Sequence, residues 1–209
     1  MTNPFSIPSI VDPAVAVPTV TASTPIALGK KYHYVRLSVR SKLGRDTTKE
    51  VVRHPGAVVI VPILPDGRIV LIKVYRLTVQ RWLYECCAGT IERPSTPQGT
   101  FLEGEDPALC AARELIEETG YQAGHLVPIR TYLTTPGLTD ELMHAFLATD
   151  LKHVGQKLEE DEHILVEAIE PDRVLRMIDE GQIVDAKSML AILLAHRQGR
   201  LSAKSTSKV

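Results

Sequence analysis

The sequence is poor in the features that would sort it quickly. Only three of its 209 residues are cysteine, Cys86, Cys87 and Cys110. Two of them are adjacent and the count is odd. That pattern excludes a disulfide framework and a zinc knuckle, and it suits a reducing cytoplasm with small buried thiols. Neither sign of charge is in excess, with 24 Lys+Arg against 25 Asp+Glu and a net charge of −1. This excludes the basic surplus of a general nucleic-acid binder and the polybasic patch of a membrane anchor. No apolar run reaches the ~18 residues of a membrane span. The N-terminal stretch is apolar at Ile7, Ile10, Val11, Val15 and Val17. It has no basic flank, however, and prolines at 4, 8, 13, 18 and 25 interrupt it, so it does not read as a secretory signal. The expected protein is cytoplasmic, with no nucleic-acid partner and no membrane.

What is present is the composition of an ordinary folded domain, 44% hydrophobic and 23% charged. That length can bury a core without staples. Residues 1–28 are rich in Pro, Ser and Thr, with Asp12 the only charged side chain; they read as a flexible or extended strap. Residues 29–199 read as the folded domain, and residues 200–209 as a disordered tail. Strands are expected at 32–39 and 47–53, then at 57–64, whose unbroken apolar run implies burial on both faces. Pro65-Asp66-Gly67 is a hairpin signal, with return strand 68–75. A short strand over 82–87 closes on Ala88-Gly89. Residues 92–104 have the composition of an exposed loop. Further strands are expected near 126–133, 141–149 and 164–169, an acidic loop at 158–162, and helices near 171–180 and 185–197.

The clearest helix lies between. Asp106 serves as N-cap, Pro107 as the first helical residue and Gly120 as the C-terminal stop. On a helical wheel, Ala108, Leu109, Ala112, Leu115, Ile116 and Thr119 form the side expected to bury. Glu114, Glu117 and Glu118 share the other. Like charges at i, i+3 and i+4 disfavour a helix by ~0.2–0.5 kcal/mol per pair, and glutamates near its C-terminus oppose the dipole. A hard divalent cation, Mg²⁺ above all, would offset this. The plainer alternative is a solvated acidic face in which Arg113 pairs with Glu117.

The wider spacing decides between these. Gly99, five residues, Glu105, seven residues, Arg113-Glu114-Leu115, then Glu117-Glu118 and Gly120-Tyr121 resemble the Nudix box, Gly-x5-Glu-x7-Arg-Glu-U-x-Glu-Glu-x-Gly-U, with U a bulky apolar residue. In many members the box glycine follows an alanine at a strand end, as Gly89 follows Ala88. On that view Gly89 is the equivalent glycine, and about ten residues, 93–102, are inserted before the helix. The resemblance covers roughly residues 30–197. His54-Pro55-Gly56-Ala57, Tyr75-Arg76, Glu85-Cys86-Cys87-Ala88-Gly89, Thr135-Pro136-Gly137-Leu138-Thr139-Asp140 and Asp185-Ala186-Lys187-Ser188 are similar to the ADP-ribose and nucleoside-diphosphate-sugar pyrophosphatase branch. Cys87 departs from it, since proline is frequent there.

The resemblance implies an α/β Nudix fold, an α/β/α sandwich with a mixed β-sheet plus N-terminal antiparallel strands. It implies Mg²⁺-dependent hydrolysis of the pyrophosphate bond of a nucleoside diphosphate sugar, with Mn²⁺ a possible substitute. Glu114, Glu117, Glu118 and the Ala88 carbonyl would be the metal ligands, with Arg113 orienting the glutamates. Arg76, Glu85 and Gly137 would meet substrate, and Tyr32, Tyr34 or Trp82 would stack on the base. Glu162, or else Glu160, would be the general base. A homodimer using residues 30–53 is expected. UDP- or GDP-sugar hydrolysis, and a non-catalytic nucleotide sensor, are the alternative readings.

Overall fold

The computed structural model describes residues 15–158 and 163–201. Glu160 and Glu162 lie outside the described residues, as do residues 1–14 and 202–209. The chain divides into two compact units. The first comprises the residues up to Ala57 together with Thr90–Glu105 and Thr131–Met143. The second comprises Val58–Gly89, Asp106–Arg130 and the chain from His144 onward.

The first unit is built on an antiparallel sheet of order β1-β2-β3, with β1 Thr19–Leu28, β2 His33–Arg40 and β3 Asp46–Arg53. β1 departs from the strap expected over 1–28: it is extended, but hydrogen-bonded to β2. Pairing with β2 along its length makes it a strand, and Pro25 sits beside a register shift on this edge strand, where a missing N–H is tolerated. Most of the sheet is exposed. Cross-strand pairs Arg36–Glu50 at 2.8 Å and Arg40–Asp46 at 2.9 Å decorate it. The segment expected as an exposed loop at 92–104 is one, mostly exposed and without a regular strand, and is closed by a single bridge. Ser95 bridges Phe101, and the Glu105 amide donates to the Glu92 carbonyl at 3.0 Å. Its tip is anchored. The His33 ring stacks on Phe101 with centroids 4.5 Å apart, and its Nδ1 meets the Gly99 carbonyl at 3.0 Å.

The second unit holds the core. One sheet has the order β7-β4-β9-β8, from Ala88–Thr90, Ala57–Pro62, Leu142–His153 and Tyr121–Leu133. The other has the order β10-β5-β6, from Ile164–Ile169, Ile69–Arg76 and Arg81–Glu85, all antiparallel. β4 is buried at every position, as its unbroken apolar run requires. The strand expected over 82–87 ends at Glu85. The chain then changes sheets through Cys86-Cys87, both fully buried, and restarts as β7. Three helices complete the chain: α1 Pro107–Thr119, α2 Pro171–Asp179 and α3 Ala186–Arg197. The expected tail begins later than position 200: Arg200 donates to the Pro128 carbonyl at 3.2 Å, and Leu201 is buried.

Candidate active site

α1 starts and stops where its sequence dictates. The Asp106 carboxylate accepts the Ala108 amide at 2.7 Å, and Gly120 closes the helix at φ 74°. Gly120 is needed twice over. Its left-handed conformation disfavours a side chain, and a Cβ there would approach the Gln156 backbone nitrogen to 2.9 Å. The chain packs against this end. The Lys157 amide donates to the Glu117 carbonyl at 3.0 Å, and the Gln156 side chain to the Glu118 carbonyl at 2.7 Å.

The buried stripe of α1 is not the one the wheel implies. Cys110, Ala111, Leu115, Glu118 and Thr119 are buried, whereas Leu109 is 66% exposed. The stripe turns because Glu118 is drawn inward: its carboxylate accepts the Ala88 amide at 2.9 Å. Arg113 Nη1 bridges Glu114 at 2.8 Å and Glu117 at 2.9 Å. The site of β7 is equally tight. A Cβ built on Gly89 would collide with the Glu114 carboxyl group. Gly89 therefore occupies the position beside the glutamates, while Gly99 lies in the first unit against Leu28, Val35 and His33. Of the two candidate box glycines, Gly89 is the one packed against a box glutamate.

Glu114, Glu117, Glu118 and the Ala88 peptide are hard oxygen donors, the chemistry a divalent cation such as Mg²⁺ requires. Among the described residues, no three acidic, imidazole or thiol groups converge on one point; Arg113 stands between two of the carboxylates. The residue types fit a hard cation, and the arginine preorganises them.

Arg76 and Glu85 meet each other. Arg76 Nε and Nη2 donate to the two Glu85 oxygens at 2.8 and 2.7 Å. Lys187 completes the carboxylate and also pairs with Asp185 at 2.9 Å. Burial would push the Glu85 carboxyl up, but the Arg76 hydrogen bond and the Lys187 charge outweigh it and hold it below its ordinary value. The same carboxylate raises the Arg76 pKa. Lys187 was not singled out as a site residue from the sequence; its only signal was the Asp185-Ala186-Lys187-Ser188 pattern. Burial pushes the Cys86 thiol up to about 12 and Cys87 well above its ordinary value. Both stay protonated and inert.

The first unit carries a separate cluster. His54 Nδ1 accepts the Gly56 amide at 3.0 Å, which leaves Nε2 as the donor toward Glu141 at 3.4 Å. Burial lowers the His54 pKa against the opposing pull of Glu141 and Asp140. Tyr32 stacks on His54 with centroids 4.9 Å apart, whereas Tyr34 donates to Glu50 and Trp82 rests edge-on against Tyr75. Gly137 sits in an exposed turn closed by the Leu138 amide on the Thr135 carbonyl.

The class of protein is thus an α/β fold in which a carboxylate-bearing helix is pinned to a strand that begins Ala-Gly. The family model described as NUDIX domain matches residues 52–191, and the chain belongs to that family. It is 34% identical to an ADP-ribose pyrophosphatase of Bacillus subtilis (strain 168), over 77% of this chain and 83% of the relative. An ADP-ribose pyrophosphatase of Mycobacterium tuberculosis is 33% identical, over 85% of this chain and 82% of its own length. A GDP-mannose pyrophosphatase of Salmonella typhimurium is 30% identical, over 68% and 78%. The crystal structure of an ADP compounds hydrolase matches the fold with a TM-score of 0.73 at 21% identity, over 90% of this chain and 100% of that one.

Proposed function

We propose that the protein hydrolyses the pyrophosphate bond of ADP-ribose or a related nucleoside diphosphate sugar, releasing a nucleoside monophosphate and a sugar phosphate. The observation that carries this reading is the α1–β7 junction. There Arg113 bridges Glu114 and Glu117 while Glu118 reaches the Ala88 amide. The names of the relatives support the substrate class. A bound Mg²⁺, or Mn²⁺ in its place, would neutralise the pyrophosphate and acidify the attacking water. Glu114, Glu117, Glu118 and the Ala88 carbonyl would hold it. Arg113 keeps the carboxylates aligned through charge-assisted hydrogen bonds. Arg76 offers its guanidinium to the anionic substrate, with Glu85 holding it from behind. Gly137 would approach substrate through its backbone.

Glu162 is the proposed general base and Glu160 the second choice. Their support is that Gln156 and Lys157, just before them in the chain, bond to the backbone of Glu118 and Glu117. A cytoplasmic homodimer completes the reading. No helix among the described residues is long and apolar enough to cross a membrane. Within residues 30–53, Tyr32, Tyr34 and Leu43 are exposed, which supports a self-association face there. Hydrolysis of GDP-mannose is the second reading, favoured by the GDP-mannose pyrophosphatase relatives. The deciding experiment is phosphatase-coupled phosphate release from ADP-ribose, GDP-mannose, UDP-glucose and NADH at fixed Mg²⁺. ADP-ribose is expected to show the highest kcat/KM. No release from any of them, with or without Mn²⁺, would leave only a nucleotide sensor.

A further inference from the structure

Helix α3 reaches the candidate site from 102 residues away in the chain, and its first turn is wired into it. Asp185, the N-cap, accepts both the amide and the hydroxyl of Ser188. The Ser188 hydroxyl in turn accepts the Cys86 amide at 2.8 Å. Cys86 is the residue at which the chain leaves β6, two positions before the Ala88 amide that meets Glu118. Lys187, one residue before Ser188, bonds to the Glu85 oxygen that Arg76 Nη2 also contacts. One carboxylate, 1% exposed, thus orients two cations from different elements.

The two cations are not equivalent. The Lys187 side chain is 17% exposed and closes between Glu85 and Asp185. The Arg76 side chain is 40% exposed, and its Nη1 makes no hydrogen bond among the described residues. Arg76 also feels the charge of Glu118, which places it within electrostatic reach of α1. Its outward edge is therefore the one presented to an anion, and the carboxylate behind it sets the plane of the guanidinium.

We infer that Lys187 is a positioning residue: through Glu85 it aims the outward edge of Arg76 at the anionic part of the substrate. This rests on the hydrolase reading above, and the test separates the two. KM and kcat for ADP-ribose are measured for wild type, Lys187→Met, Lys187→Arg, Arg76→Ala and the Arg76→Ala/Lys187→Met double variant. Lys187→Met is expected to raise KM roughly tenfold with kcat changed by less than about threefold, and Lys187→Arg to restore much of the loss. In the Arg76→Ala background the Lys187→Met effect disappears, because the group it aims is gone. Additive losses, or an unchanged KM, would overturn the inference. If Lys187→Met does not fold, Lys187→Gln takes its place in the same cycle. ADP binding measured by calorimetry reads the same coupling without turnover. A wild type that binds ADP but hydrolyses nothing would sink the hydrolase reading and leave the Lys187–Arg76 coupling decided on its own.

Discussion

Glu85 and Glu118 are both buried, at 1% and 6% exposure, yet they are handled in opposite ways. Glu85 faces two cations, which supply three donors between them. Glu118 takes a backbone amide from Ala88 and shares α1 with two further carboxylates that draw on one arginine. A buried carboxylate matched by cations is architecture: it holds Arg76 and α3 in place. A buried carboxylate beside other carboxylates concentrates negative charge, which is where the proposed function would have a divalent cation and a polyanionic substrate meet. The contrast predicts that removing the charge of Glu118 costs turnover, whereas removing that of Glu85 costs stability and, through Arg76, substrate affinity.

The sharpest test is Glu118→Gln. Turnover is expected to fall by at least about 10³-fold, because one charged oxygen donor is lost, while Tm stays at or above the wild-type value. Phosphate release and thermal melts read both; near-wild-type rates would remove Glu118 from the metal site. Glu85→Gln should instead lower stability, with turnover falling far less than in Glu118→Gln and KM rising because Glu85 also orients Arg76. It leaves Arg76 and Lys187 facing a neutral amide, at a cost of about 3 kcal/mol, the low end for a broken buried pair because Arg76 is partly exposed. Tm should drop by on the order of 10 °C.

The same pair makes a pH prediction. The folded-state pKa of Glu85 lies below its ordinary value. Its stabilisation is therefore complete above the unfolded carboxylate pKa and is lost as pH falls through the folded one. The Tm gap between wild type and Glu85→Gln should be full at pH 6 and narrow below about pH 4. A gap that widened in acid would mean that Glu85 is not charged in the folded protein. Glu162→Gln is expected to lower kcat by about 10²-fold with little change in KM; an equal rise in KM would place Glu162 in binding instead. The smallest effect belongs to Asp46→Asn. Its pair with Arg40 is exposed on both sides, and Tm should not move measurably. A clear drop would show that the first-unit sheet depends on its surface ion pairs.

Much of this molecule was legible before any coordinates. The limits of α1 follow from Asp106, Pro107 and Gly120, because capping is a property of a few neighbouring residues. The acidic face and the Arg113 pairing follow from helical spacing for the same reason. β4 and the Pro65-Asp66-Gly67 hairpin were equally local. Other features misled. The wheel assigns Leu109 to the core and Glu118 to the opposite side, because amphipathic spacing cannot register an amide from another strand pulling a carboxylate inward. Two glycines, Gly89 and Gly99, were open from the sequence, because linear spacing cannot say which one packs against Glu114. β1 was hidden within a Pro-rich segment, since pairing with β2 and not local propensity makes it a strand.

By itself, then, the sequence determined which groups share one helix: three glutamates and an arginine, the set on which the proposed metal chemistry rests. The tertiary structure alone decided which glycine stands beside them, which glutamate is buried, and that Lys187 and Ser188 bond to Glu85 and Cys86 from 102 residues away. The physical reason is range. Helix spacing and caps act over a few residues and are written in order along the chain. The desolvation and pairing of Glu85 depend on groups that only folding brings together.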